Sequence, residues 1–152
     1  MRTLSKLLPL VALLLAAQGA HANDYAPLLK AKKYPEAERA AAARLAREPQ
    51  QAEALIARTD AIMGAGLPNR VGEAVASAKQ CVGAHPALAG CHLALGKALG
   101  WKAMTGGVMA SLGFAGELRD SLKKAVELDP RNMDARFSLL QHVESSPVPT
   151  PS

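Results

Sequence analysis

The stretch that decides the fold lies near the end of the chain, where residues 118–130 read LRDSLKKAVELDP. Its apolar residues Leu118, Leu122 and Ala125 recur at the spacing of one helical face. Pro130 then closes the run, and a proline cannot continue a helix because it lacks the backbone N–H and crowds the preceding turn. The stretch therefore predicts an amphipathic helix that ends in a sharp corner.

The same ending occurs twice earlier in the chain, before Pro49 and before Pro86. The two lead-in sequences are Arg44-Leu45-Ala46-Arg47-Glu48-Pro49 and Cys81-Val82-Gly83-Ala84-His85-Pro86. The three prolines are 37 and 44 residues apart, a spacing that predicts repeated helical hairpins. One hairpin cannot bury its own apolar face, so neighbouring hairpins must stack into a short curved solenoid.

Helical periodicity extends over nearly the whole chain, and the alternation typical of strands is almost absent. It predicts seven helices, over residues 24–32, 35–47, 51–63, 71–82, from about 87 onward, 115–128 and 133–143. Aromatic residues make up only 3% of the chain, so the core must consist mainly of Ala and Leu. The predicted fold class is all-α.

These corners resemble those of the tetratricopeptide repeat family, whose unit of about 34 residues is a helix-turn-helix. Leu118, Leu122, Ala125 and Asp129-Pro130 match the second helix of that unit, and Leu95-Gly96 matches the Leu-Gly pair of its first helix. The resemblance implies a right-handed solenoid of about three antiparallel helical hairpins, capped by the polar-looking helix at 133–143. Both intervals exceed the family period, and Leu or Ala replaces most of its large aromatic residues.

The resemblance also implies a binding surface on the concave side of the solenoid. In that register the surface carries Leu88, Leu95, Ala98, Ala135, Leu139 and His142. Most of these side chains are apolar, so we expect a protein or peptide partner that offers an apolar segment. A structural subunit of an envelope assembly is an alternative function for the same fold.

The first residues predict export. Arg2 and Lys6 precede an apolar run at residues 7–17, and Ala20-His21-Ala22 supplies the small residues that a signal peptidase requires. The run is too short to span a bilayer. We therefore expect a Sec-type signal peptide at 1–22, a periplasmic repeat domain at 23–144 with no membrane segment, and a disordered Pro/Ser-rich tail at 145–152.

Charge and motifs argue against several functional classes. The whole chain has a formal net charge of +5, and removing Arg2 and Lys6 with the signal peptide leaves +3. That balance, without interleaved aromatic residues, gives no indication of nucleic-acid binding. Nucleophile motifs and phosphate-binding loops are also missing from the sequence, so we expect neither an enzyme nor a cofactor.

The densest cluster of reactive side chains comprises Cys81, His85, Cys91 and His92. A fold at Pro86 could bring the two cysteines within disulfide distance, as suits an exported protein. Two thiolates and two imidazoles could instead hold a metal ion, although their spacing matches no known zinc pattern. Two unpaired buried thiols are the third possibility.

The segment at residues 102–116 accounts for the long last interval and is rich in Gly and Met. Its apolar side chains, together with Trp101, could simply fill the gap between two helices, with the glycines permitting close approach. Alternatively, because Met adapts to varied surfaces, the segment could form a lip that binds the partner.

Overall fold

The computed structural model describes residues 25–145, and their side chains except at 108–111 and 145. Seven α-helices follow one another, and a single 3₁₀ turn, Pro68–Arg70, precedes the fourth. Their bounds are α1 Tyr25–Lys30, α2 Tyr34–Leu45, α3 Ala52–Gly64, α4 Val71–Ala84, α5 Ala89–Leu112, α6 Ala115–Leu128 and α7 Met133–Ser145. No residue between 25 and 145 lies in a strand. The prediction of an all-α chain is confirmed.

The three prolines are equivalent corners. Each lies three residues before the next helix begins, at Ala52, Ala89 and Met133. At every corner the residue before the proline makes two backbone hydrogen bonds. Its N–H donates to a carbonyl of the preceding helix, and its carbonyl accepts from the N–H of the residue two positions after the proline. The first set of bonds is Glu48 to Arg44, His85 to Cys81 and Asp129 to Ala125; the second is Gln51 to Glu48, Leu88 to His85 and Asn132 to Asp129, each 3.1 Å.

These corners divide the chain into antiparallel hairpins α1/α2, α3/α4 and α5/α6, followed by α7. Consecutive helices pack against each other along the whole described chain, and each hairpin also reaches the next one through α1–α3 and α3–α5 contacts. The predicted stack of about three hairpins is therefore present.

The core is built from small side chains, as the composition predicts. Alanines line the buried face of every helix from α2 to α7: Ala37, Ala41, Ala54, Ala57, Ala61, Ala74, Ala78, Ala94, Ala98, Ala125 and Ala135. Leu55, Ile62 and Leu99 fill the spaces between them. Small residues let helix backbones approach closely, and at Gly96 an added Cβ would lie 2.4 Å from Leu122 Cδ2.

Polar contacts fix the hairpins to one another. Arg70 makes a bidentate bond to Glu38, with nitrogen–oxygen distances of 2.9 and 2.6 Å, and also binds Glu73. Gln80 on α4 donates to the carbonyl of Pro49 at 2.8 Å, so the second hairpin holds the first corner. The first two hairpins are thereby joined at two separate places.

The outer face of α7 differs from the prediction of a polar cap. Met133, Phe137, Leu140 and Val143 are all at least half exposed on it, while Ala135 on the opposite side is buried. Their spacing of three or four residues puts them on one side of the helix. A helix does follow the last hairpin, as predicted, but the polar face expected of it was wrong, because Asp134, Arg136, Gln141 and Glu144 are interspersed with this apolar stripe.

Two of the predicted segments lie outside the described residues: the signal peptide at 1–22 and all but the first residue of the tail at 145–152. Ser145, assigned to that tail, is the last residue of α7. Asp24, the first residue of the first predicted helix, also lies outside. No helix between residues 25 and 145 has the length and hydropathy required to cross a bilayer.

Candidate functional site

A groove of about 1010 Å³ opens along one side of the stack. Every odd-numbered helix contributes to it, and the second helices of the hairpins contribute less. Its lining residues are Leu29 on α1, Tyr34 on α2, Asp60, Met63 and Gly64 on α3, Gly96, Lys97, Gly100, Trp101, Ala103, Met104 and Leu112 on α5, Phe114, Ala115, Leu118 and Leu122 on and before α6, and Ser138, Gln141 and His142 on α7.

The walls of the groove are largely apolar and aromatic. Trp101, the one tryptophan of the chain, lies on α5, and the aromatic side chains of Tyr34 and Phe114 line the same groove. Met104 and Leu112 line the same groove although their side chains are 85% and 70% exposed. Large apolar side chains that remain in solvent at the edge of a groove are typical of a surface that a ligand covers.

One ion pair lies among these apolar walls. Lys97 Nζ is 3.6 Å from Asp60 Oδ1, and the Asp60 side chain keeps 30% of its surface exposed. Burial among the walls raises the pKa of Asp60, and the nearby Lys97 opposes that rise. Burial also lowers the pKa of His142, as does Arg119. Asp60 and Lys97 thus form an ion pair within the lining, and the shift at His142 disfavours its charged form.

No protein-family model and no curated protein matches the chain. A solved structure does: the first TPR of Spaghetti (RPAP3) bound to the HSP90 peptide SRMEEVD. It has a TM-score of 0.60 and 17% sequence identity, and the match covers 79% of this chain and 85% of that chain. The fold is that of a tetratricopeptide-repeat domain. The likeness predicted from the three proline corners is thereby confirmed at the level of fold.

Within this tetratricopeptide-repeat fold, the six residues predicted to bind a partner have different surroundings. His142 lines the groove. Leu95, Ala98 and Ala135 are buried in the core, and Leu139 packs against that core. Leu88 is partly exposed in the turn before α5, outside the groove. Partner binding by these residues stays a prediction, but the three buried side chains offer a partner no surface.

On α5, the residues that line the groove are neighbours of the predicted ones rather than the predicted ones themselves. Gly96, Lys97, Gly100 and Trp101 face the groove where the repeat pattern suggested Leu95 and Ala98. Leu95 and Ala98 pack into the core, which leaves the flanking positions of α5 for the groove. A useful signal did exist in the sequence, since the Gly- and Met-rich segment contributes Met104, Leu112 and Phe114 to the groove.

The cysteine cluster is structural in this arrangement. Cys81 and Cys91 form a disulfide with a Cα–Cα distance of 5.3 Å, and both are fully buried. With both sulfurs bonded, neither is available as a thiolate ligand. The ring of His85 contacts the carbonyl of Gln50, and the ring of His92 contacts that of Pro86 at 2.7 Å. The four side chains therefore brace the second corner; no group of three or more potential ligands in residues 25–145 is placed to hold a metal ion.

Proposed function

We propose that the chain is an exported interaction module that holds a segment of another protein in its groove. The groove itself carries this proposal, because it joins an apolar volume of about 1010 Å³ to exposed Met104 and Leu112 side chains that a ligand would bury. A similar fold has been solved with a peptide bound, the HSP90 peptide SRMEEVD, which supports the same kind of use here.

The occupant differs in chemistry from that acidic peptide. The one lysine lining this groove, Lys97, is already balanced by Asp60, and aromatic and methionine side chains make up much of the remaining lining. A carboxylate-rich peptide would lose its hydration against these apolar walls, and the lysine among the lining residues is already paired with Asp60, which is unfavourable. An uncharged apolar segment would bury its surface against Trp101 and Met104 at no such cost.

The compartment proposed is the periplasm, with cleavage after Ala22. The signal-like residues at 1–22 support it, and so does the Cys81–Cys91 disulfide, since disulfides persist in oxidising compartments. Cell fractionation followed by intact mass of the recovered chain tests the compartment, the cleavage site and the disulfide together. We expect a mature start at Asn23 and a mass two hydrogens below that of the reduced chain; a full-length cytoplasmic chain would overturn the proposal.

The interaction itself is tested by filling the groove. Gly100 lines the groove and has room for a side chain, because an added Cβ would lie 3.9 Å from Leu118. Gly100→Leu should therefore fold and occupy the binding volume. Gly72→Leu is the matched control, because Gly72 is exposed on α4 with nothing within 4 Å of an added Cβ.

Both variants are used as bait in periplasmic extract beside the unaltered chain, after circular dichroism has shown that they are equally helical. We expect a protein held by the unaltered chain and by Gly72→Leu but lost with Gly100→Leu. Capture that is the same for all three chains would mean that the groove is not the binding site.

A further inference from the structure

The outer face of α7 carries half of the large apolar side chains that are exposed within residues 25–145. All four are at least half exposed and recur every three or four residues, which places them in one stripe along the helix: Met133, Phe137, Leu140 and Val143. In stacked-hairpin proteins a terminal helix needs a polar outer face to keep the stack soluble. An apolar stripe in this place therefore indicates a surface that another molecule covers.

This stripe is separate from the groove. The residues that α7 contributes to the groove are Ser138, Gln141 and His142, and none of them belongs to the stripe. α7 contacts α5 and α6. Its residues Ala135 and Leu139 are respectively buried and packed against the core. A protein bound to the stripe is therefore distinct from a segment bound in the groove.

Opposite charges lie symmetrically about the middle of the stripe. Arg136 precedes Leu140 by four residues, and Glu144 follows it by four. Both charged side chains are exposed. Phe137 and Val143 are likewise three residues before and three residues after Leu140. A second copy of this helix, laid antiparallel on the first, therefore presents a complementary surface.

We propose that two copies of the chain associate through the outer faces of their α7 helices, antiparallel, with Leu140 at the twofold axis. Arg136 of one copy is then level with Glu144 of the other, and Phe137 is level with Val143. Twofold symmetry makes each pairing occur twice. A parallel pair would instead place Arg136 beside Arg136. The charges thus determine direction and register, while burial of the apolar stripe drives association.

The association is tested by sedimentation velocity of the purified chain over a wide range of concentrations. We expect the unaltered chain to shift from monomer to dimer as its concentration rises, and Leu140→Asp to stay monomeric throughout. Leu88→Asp is the matched control, because Leu88 is an exposed leucine in the turn before α5 and should leave the dimer intact. Circular dichroism first shows that the variants are equally helical. An unaltered chain that is monomeric at every concentration would overturn the proposal.

Reversing the charges tests the pairing without removing any apolar side chain. Arg136→Glu places two carboxylates level with each other at both ends of the stripe, so we expect the dissociation constant of the dimer to rise roughly tenfold. The double variant Arg136→Glu/Glu144→Arg exchanges the two charges and should restore it. This pair of variants also carries the test if Leu140→Asp fails to fold. A double variant that dimerises no better than Arg136→Glu would refute the antiparallel pairing.

Crosslinking tests the direction of the two helices. Cys81 and Cys91 are bonded to each other, so a cysteine introduced on α7 is the one free thiol of the chain. In the antiparallel dimer a short bismaleimide should join two copies of Leu140→Cys at the axis. It should not join two copies of Met133→Cys, because those positions lie about 20 Å apart along the paired helices. Equal crosslinking at both positions would mean a parallel pair and would contradict the proposal.

Other occupants of the stripe give different results. If a chain without residues 146–152 dimerises and the whole chain does not, that segment covers the stripe. If the chain stays monomeric and sediments with phosphatidylethanolamine–phosphatidylglycerol vesicles, a membrane surface is the occupant. Either outcome would replace the second copy.

Discussion

At the scale of single residues, the second corner depends on two sulfur atoms. Cys81 and Cys91 close a loop with a sequence separation of 10 across Pro86, and both are buried next to Leu55. Closing a loop of this size restricts the unfolded chain and stabilises the folded one. The structure thus uses the disulfide to hold α4 against α5.

Removing this disulfide should be costly. For the double variant Cys81→Ala/Cys91→Ala we expect the free energy of unfolding to fall by about 2–3 kcal/mol, measured by urea titration. Adding a reductant to the unaltered chain should lower it similarly and should leave the double variant unaffected. A reductant that changes neither chain would show that the two cysteines are not bonded.

A second residue-scale effect concerns the contact between the first two hairpins. The bonds from Arg70 hold the pKa of Glu38 below its ordinary value of 4.5, although partial burial opposes them. The folded chain therefore binds fewer protons than the unfolded chain around that value. The contribution of Glu38 to stability is fully present above about pH 4.5 and is lost as the pH falls through the lower, folded pKa.

Glu38→Gln should remove this pH-dependent contribution. At neutral pH we expect the variant to be less stable by about 1 kcal/mol, because Arg70 loses a bidentate carboxylate. The difference should shrink as the pH falls below about 4.5. Glu36→Gln, at an exposed position two residues away, is the control, and thermal unfolding across pH 3–7 is the measurement. An undiminished difference at low pH would contradict the assigned role of Glu38.

At the scale of elements, two glycines on α5 have opposite surroundings. An added Cβ at Gly96 would lie 2.4 Å from Leu122 on α6, whereas one at Gly100 would lie in ordinary contact with Leu118. Gly96 is thus where the helices of the third hairpin approach most closely, and Gly100 is the open position beside the groove.

Alanine at these two positions should therefore shift stability in opposite directions. We expect Gly96→Ala to destabilise the chain by about 1–3 kcal/mol through overpacking against buried Leu122. Gly100→Ala should stabilise it by up to about 1 kcal/mol, since alanine is the better helix former. Urea unfolding of both variants is the check. Equal effects of the same sign would mean that the close approach of α5 and α6 is wrong.

Among the structural elements, the corners between hairpins were predicted correctly from the sequence, and the residues that line the groove were not. The corners at Pro49, Pro86 and Pro130 could be predicted because a proline after an apolar helical run has few alternatives. The lining of the groove could not be predicted in this way. Leu95 and Gly96 are neighbours in sequence, and the packing of α6 decides which of them lies in the core and which lines the groove. The apolar outer stripe of α7 was missed because polar residues alternate with it around the helix.

On the scale of the whole molecule, the stack and the groove have the same origin. Small residues on α2 to α7 let the hairpins pack closely, and the first helices of the hairpins then line one side together. Within that lining, Asp60 forms an ion pair with Lys97. Stacked hairpins thereby create an apolar binding surface that no hairpin has alone.

The most direct measurement is photo-crosslinking in the living cell, with a photoreactive amino acid placed at Met104 in one strain and at Lys123 in another. Met104 lines the groove, and Lys123 is exposed on α6 outside it. We expect one discrete protein adduct from Met104 and none from Lys123. Adducts of equal yield from both positions, or none from Met104, would contradict a protein-binding groove.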